Sequence, residues 1–380
     1  VTYLYDPLQA LEQGRWFKLI CGASFQHLPA VRNLALAYTL AGADCIDVAA
    51  DPAVIIAVQE GLQVAKELTE VAQKRGFNHY QATPLLMVSL NDGEDPHFRK
   101  AEFDPTQCPA DCSRPCQNIC PAQAIEFNIS DPLKFNNNQI TDFSGVVSQK
   151  CYGCGRCLPA CPYEIIYTSS YVSTPGAIAP LILSSGVDAV EIHTQVGNLA
   201  GFKRLWNAIL PWIGRLKLVA ISCPDGDGVI EYLQSLYAAI APLPCALVWQ
   251  TDGRPMSGDI GKGTTRATVK FGQKVLAAEL PGYVQLAGGT NSYTVAKLKA
   301  MGLLQHGKLP TPQSQIAGVA YGSYARVLLS PVLEKLETKE VNYTDVPAKI
   351  CLETEPELLW QAVSLAHSLV SQLKSQQQYP

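Results

Sequence analysis

Charge is scarce in this chain: 16% of its 380 residues are Asp, Glu, Lys or Arg, and the 29 basic residues do not outnumber the 33 acidic ones. A net charge of −4 leaves no basic excess to neutralise phosphates, so nucleic acid and anionic lipid are excluded as electrostatic partners. Long apolar runs are also missing. None approaches the ~20 residues that cross a bilayer, so no transmembrane segment is expected. The opening stretch VTYLYDPLQALEQGRW has neither the basic start nor the apolar core of a signal peptide. No HExxH motif and no nucleophilic triad can be assembled, and the one GKG, at 261–263, lacks the spacing of a phosphate-binding P-loop. What is present is apolar: 47% of the residues, enough for a core-building globular chain. Thirteen cysteines without a secretion signal point to metal ligation in a reducing cytosol, not to disulfides.

Eight of those cysteines fall between positions 108 and 161, in two runs. The second, CYGCGRCLPACP, places Cys151, Cys154, Cys157 and Cys161 at x2, x2, x3 spacing before Pro162, the bacterial ferredoxin pattern for a [4Fe–4S] cluster. A cubane takes one thiolate on each of four irons, and x2 steps in a tight loop carry three sulfurs round three corners. Gly153 and Gly155 permit the close backbone approach of such a loop. The first run, CPADCSRPCQNICP, holds Cys108, Cys112, Cys116 and Cys120 at wider x3 spacing before Pro121. The continuations CPAQAIEF and CPYEIIYT form an internal repeat, as in a pseudo-twofold dicluster module. In such modules the last cysteine of each run serves the other cluster. The expected ligand sets are therefore Cys108, Cys112, Cys116 and Cys161 for one cluster, and Cys151, Cys154, Cys157 and Cys120 for the other. The alternative is zinc, which also takes four thiolates, usually as two CxxC pairs. Proline after each last cysteine suits the first turn of a short helix, and FNNNQITDFSG between the runs reads as a polar turn region. Cys45 and Cys245 sit inside apolar runs and read as core; Cys21 and Cys223 end such runs, where a functional thiol is an option.

Setting aside 104–168 and 331–380 leaves roughly 265 residues, in which eight apolar runs alternate with helix-length segments. The runs are 17–21, 45–49, 85–90, 189–193, 218–222, 246–250, 283–287 and 316–321. Gly42 and Gly76 read as helix stops. Strands apolar on both faces, each followed by a helix, imply a parallel sheet covered by helices. Eight units match an α/β fold of the (β/α)8 TIM-like barrel type, typically about 250 residues; the alternative is an open doubly wound sheet. The expected division is 1–103, the first part of the barrel; 104–168, an inserted ferredoxin-like module; 169–330, the second part; and 331–380, a helical tail with Leu358, Leu359, Val363, Ala366 and Val370 along one side. Because the insertion follows strand three, and TPGAIAPLILSSG reads as the next helix, the module lies in a βα loop, on the face where barrel sites sit. Other strand ends on that face carry Asp47, Asp51, Glu191, His193, Gln195, Asp252, Arg254 and Lys262. Glycine-rich ends after strands seven and eight, with Gly288, Gly289, Thr290, Asn291, Gly322 and Ser323, are candidates for a flavin or another phosphate-bearing ligand.

The two cysteine runs together with GRWFKLICGASFQHLP near the start resemble the LdpA (light-dependent period) family of cyanobacteria. The resemblance implies iron–sulfur binding, a family-specific C-terminal domain, and transfer of redox information into the circadian clock, with the input kinase and the Kai proteins as partners. A redox sensor without catalysis is then the leading expectation. An iron–sulfur oxidoreductase passing electrons to a flavin or substrate in the barrel mouth is the alternative. A plain electron carrier has no need of so large an attached domain.

Overall fold

In the computed structural model the described residues are 7–21, 28–77, 83–93, 99–120, 123–136, 139–147, 150–151, 156–170, 183–253, 261, 263–304, 315–342 and 351–374. The first strands are β1 (Trp16–Ile20), β2 (Cys45–Ala49) and β3 (Leu85–Asn91). An inserted segment then supplies β4 (Arg99–Glu102), β5 (Ile125–Asn136), β6 (Gln139–Val146) and β7 (Tyr167–Ser170). The chain resumes with β8 (Ala189–His193), β9 (Leu218–Pro224), β10 (Ala246–Asp252), β11 (Tyr283–Ala287) and β12 (Ile316–Tyr321). β1, β12, β11, β10, β9, β8, β3 and β2 close into a parallel barrel in that order, so the expected TIM-like barrel forms and the open-sheet alternative does not. All eight expected apolar runs are barrel strands.

The strands are apolar on both faces because both are covered. Outward, Phe17 stacks on Tyr38 of the helix Leu28–Leu40 and on Tyr321, with ring centroids 5.8 and 5.2 Å apart. Inward, Trp16, Cys45, Met87, Ala189, Ala220, Val248 and Ala317 fill the lower barrel, and Ala10 and Leu11 of the short helix Leu8–Glu12 pack against them. Helix starts and stops follow local chemistry. Asp51 accepts from Ala53 N (2.8 Å) ahead of Pro52 and so caps the helix Pro52–Lys74. Gly42 and Gly76 take left-handed φ of 96° and 86° just past their helices.

The helix Ser323–Asn342 runs through residue 331, and the helix Pro356–Lys374 follows. The latter buries Leu359, Val363, Ala366 and Val370 against the main core, with Leu358 half-buried. Lys374 reaches Asp44, just before β2, with Nζ 2.5 and 2.6 Å from the two carboxylate oxygens. No helix among the described residues is long and apolar enough to cross a membrane.

The inserted segment is pinned at its base by the antiparallel pair β4–β7, and β5–β6 form a hairpin. Here the structure corrects two local expectations. Most of FNNNQITDFSG is strand, with only residues 137–138 between β5 and β6, because the β propensity of Ile140, Thr141, Phe143 and Val146 outweighs the polar residues among them. The short helices Pro115–Ile119 and Cys157–Ala160 precede the Cys-Pro steps instead of following them. Pro115 takes the first helical position and Pro162 lies in a turn, while Pro121 is outside the described residues. Most of TPGAIAPLILSSG is outside them too.

Candidate functional site

Each cysteine of the first run is set by its local backbone. Cys108 follows the single turn Pro105–Gln107, capped by Asp104, which accepts from Thr106 N and Oγ1 at 2.9 and 2.7 Å. Cys112 Sγ accepts the Arg114 N–H at 3.4 Å, and Cys120 Sγ the Ala124 N–H at 3.3 Å. Arg114 adopts a left-handed φ of 54° ahead of Pro115, and its guanidinium lies 4.2 Å from the Phe127 ring centroid. Cys116, Cys151, Cys157 and Cys161 are buried in one apolar cluster with Ala101, Ala124, Ile125, Phe127 and Ile166, and Cys108 and Cys120 pack half-buried against it.

Cys161 comes close enough to Cys108 and Cys116 for its charge to act on both thiols, as does that of Cys112. Burial first, and then these neighbouring sulfurs, push the Cys108 and Cys116 thiols up. A set of thiolates that repel one another inside an apolar sheath, with backbone N–H groups aimed at sulfur, suits a polynuclear iron centre, whose positive charge reverses that repulsion. Cys154 lies outside the described residues. Among the described residues no three His, Cys, Asp or Glu side chains close around a single-ion position.

The module sits against the barrel. Lys100 of β4 pairs with Asp51 at the end of β2, Nζ to Oδ2 3.0 Å, with both side chains buried. Inside the barrel a charged layer lies above the apolar one. Lys18 Nζ bonds to Glu191 Oε2 and to Gln250 Oε1 (3.0 Å), and lies 3.0 Å from Asp47 Oδ2. Gln250 Nε2 donates to Glu191 Oε1 (2.7 Å), Gln285 Nε2 to Gln250 Oε1 (2.6 Å), and Trp16 Nε1 to Gln285 Oε1 (2.6 Å). Ser89 Oγ donates to Asp47 Oδ1 at 2.7 Å. Desolvation opposes the Lys18 charge, but Asp47 and Glu191 overcome it and hold its pKa above the ordinary value. Burial pushes the Asp47 carboxyl up to about 6, against the pull of Lys18. Glu191 is held below its ordinary value because Lys18, then His193, outweigh its desolvation.

Of the strand-end residues read from the sequence, the structure brings Asp47, Glu191, His193 and Asp252 into this mouth. Asp51 is spent on its cap and on Lys100, and Arg254 and Lys262 lie outside the described residues. Lys18, Gln250 and Gln285 complete the layer without any motif to mark them in the sequence. Their signal was a polar residue at an inward, period-two position of an apolar strand. Cys21 and Cys223 are buried thiols, each pushed up to about 12, chiefly by desolvation, and so unreactive.

The glycine loops hold their polar side chains inward. Thr290 Oγ1 donates to Ala320 O (2.6 Å), and Asn291 Nδ2 to Gly261 O (2.9 Å). Gly288 and Gly289 carbonyls accept from Thr268 and Thr264. At Gly289 (φ 93°) a Cβ would stand 3.1 Å from Thr264, so the glycine is required by the turn. Beside Gly322, Arg326 donates from Nη2 to Ser323 Oγ (3.2 Å) and from Nη1 to Ile20 O (3.0 Å).

Two family models match the chain. The LdpA Fe-S cluster-binding domain matches residues 108–172, and the Light dependent period A C-terminal domain matches 181–372. Light dependent period A of Synechococcus elongatus is 47% identical over 368 residues, 97% of this chain and 94% of the relative. Among solved structures, tryptophan synthase of Mycobacterium tuberculosis aligns over 97% of this chain and 95% of its own at 11% identity and a TM-score of 0.40. A putative fructose-1,6-biphosphate aldolase from Coccidioides immitis aligns over 98% and 94% at 10% identity and a TM-score of 0.37. Neither likeness bears on activity. The cysteine segment is thus an iron–sulfur-binding domain, and the chain belongs to the Light dependent period A family.

Proposed function

We propose that this protein is an iron–sulfur redox sensor that conveys the light-dependent redox state to the circadian clock. Residues 104–168 serve as a two-cluster module inserted in a barrel built from 1–103 and 169–330, with 331–380 as its helical tail. One [4Fe–4S] cluster is held by Cys108, Cys112, Cys116 and Cys161, the other by Cys151, Cys154, Cys157 and Cys120. The observation that carries this reading is the single buried cluster in which Cys116, Cys151, Cys157 and Cys161 lie together, with Cys108 and Cys120 packed against it, from both sides of the inserted hairpin. Zinc, which also takes four thiolates, is the alternative occupant, and iron, sulfide and zinc analysis of the purified protein separates the two.

When bound, the clusters supply reversible one-electron storage at a potential tuned by hydrogen bonds and exposure. The chain's own residues do the rest. The N–H groups of Arg114 and Ala124 point at sulfur, Phe127 and Ile166 keep water out, and Lys100 ties the module to Asp51 at the barrel mouth. A change of charge in the module can thereby bias which surface is offered to a clock-input kinase or Kai-type partner in the cytosol. The test is partner affinity measured anaerobically with oxidised, reduced and cluster-free protein. Redox-dependent binding is expected; identical affinity in all three states defeats the sensing role. A second reading, an oxidoreductase holding flavin or another phosphate-bearing ligand at Gly288–Asn291 and Gly322–Ser323, draws its support from Arg326 at that end of the mouth.

A further inference from the structure

Arg114 stands in the first cysteine run, two residues after Cys112 and two before Cys116. It takes a left-handed φ of 54° directly ahead of Pro115, a conformation that glycine adopts without steric cost and other residues rarely visit. Its N–H points at Cys112 Sγ (3.4 Å), and its guanidinium lies 4.2 Å from the centroid of the Phe127 ring. Phe127 is 9% exposed and belongs to the same buried cluster as Cys116, Cys151, Cys157 and Cys161. The half-buried cation therefore rests on the apolar sheath of the thiols.

Other cations of the module have carboxylate partners: Lys100 pairs with Asp51, and Lys150 with Glu126 (2.5 Å). Arg114 takes part in no ion pair among the described residues; its neighbours are the Phe127 ring and sulfur. Burial and the neighbouring Cys112 push the Cys108 thiol up, and the Arg114 charge opposes them, so the cation is within electrostatic reach of that sulfur too. A partly desolvated cation without a counter-ion is costly. A cube of iron and sulfide ringed by four thiolates is anionic, and more so once it has taken up an electron. The guanidinium is matched by such a centre, and best by its reduced form.

We propose that Arg114 raises the reduction potential of the cluster held by Cys108, Cys112, Cys116 and Cys161, acting as a positioned cation and not as a ligand. The inference rests on the two-cluster reading above and adds the side chain that tunes one centre. The electron comes from an external donor, dithionite in the test below, and no bond at Arg114 is made or broken. A unit charge about 10 Å away across an effective dielectric of about 20 changes such an equilibrium about tenfold. For a one-electron couple a tenfold change is about 59 mV.

Anaerobic potentiometric titration with dithionite, followed by electron paramagnetic resonance of the full-length iron-loaded protein, tests this. Arg114→Gln should move one of the two couples about 59 mV more negative, a tenfold loss for reduction, and leave the other in place. Arg114→Lys, which keeps the charge, should retain most of the wild-type potential. Iron and sulfide stay at the wild-type level in both variants, and the couple that moves is the one missing from Cys112→Ser. Unmoved couples, a positive shift, equal shifts in the two variants, or movement of the couple that survives in Cys112→Ser each overturn the proposal. Loss of iron from Arg114→Gln makes the residue a structural one and overturns it too. A wild-type protein without any iron–sulfur signal removes the cluster reading and this inference with it, whereas clusters present with unmoved couples defeat the inference alone.

Discussion

Replacing Lys18 by Met removes the charge but keeps the length of the side chain at the centre of the barrel. In the native chain its ammonium bonds Glu191 and Gln250 and pairs with Asp47, all of them buried. The substitution strands two carboxylates without their cation, and breaking a buried pair in this way costs about 3–5 kcal/mol. For a domain stable by about 5–15 kcal/mol that is a large fraction, and at roughly 2–4 °C per kcal/mol it lowers Tm by roughly 6–20 °C. The loss depends on pH. Without Lys18, the folded-state pKa values of Asp47 and Glu191 lie above their unfolded values, so the folded variant binds more protons than the unfolded chain. It therefore regains stability as pH falls. Urea unfolding followed by the fluorescence of Trp16 and Trp249, both buried in the barrel, should show a full deficit at about pH 8 and a smaller one near pH 5.5. Adding Asp47→Asn and Glu191→Gln should recover most of the deficit, because the stranded charge is then gone. A deficit under about 1 kcal/mol, or one flat with pH, would refute the account of Lys18 as the counter-ion of this layer.

Other substitutions separate the remaining claims. Cys161→Ser should roughly halve the content of iron and sulfide in anaerobically purified protein, from about eight irons to about four, if each set of four thiolates holds one cubane; Cys154→Ala should do the same through the other set. Lys374→Met removes the ammonium that bonds both oxygens of buried Asp44 and should destabilise by about 3–5 kcal/mol, measured by the same urea midpoint. Asp252→Asn should stabilise at about pH 8 by about 1–2 kcal/mol. Its folded pKa of about 6 exceeds the unfolded value, so stability is lost as pH rises through that window, and the gain should vanish near pH 4. Lys100→Met should leave iron content unchanged but open the β4–β7 base to limited proteolysis, since the Asp51 tie is lost.

The barrel was legible because each of its strands carries its own signal. Runs such as CIDVA and IAGVAY are apolar on both faces, and Asp51-Pro52 and Gly76 mark where a helix begins and ends. The β5–β6 hairpin was less legible, because clustered asparagines signal a turn while Ile140, Phe143 and Val146 carry the strand. The mouth was half legible. Asp47, Glu191, His193 and Asp252 stand out as polar ends of apolar strands, whereas Lys18 looks like a single interruption in FKLI until β1 closes against β12 and β2.

What the sequence alone determined is local: the spacing of thiols, the alternation of strand and helix, and the caps between them, since each is set by contacts within a few residues along the chain. Only the tertiary structure decided which side chains share a space. Barrel closure placed Lys18 among residues from β2, β8 and β10. The inserted module carried Cys161 into one cluster with Cys116 and Cys108, and the last helix brought Lys374 to Asp44. Those meetings depend on burial that pays for desolvated charge, and burial is a property of the closed fold rather than of any segment.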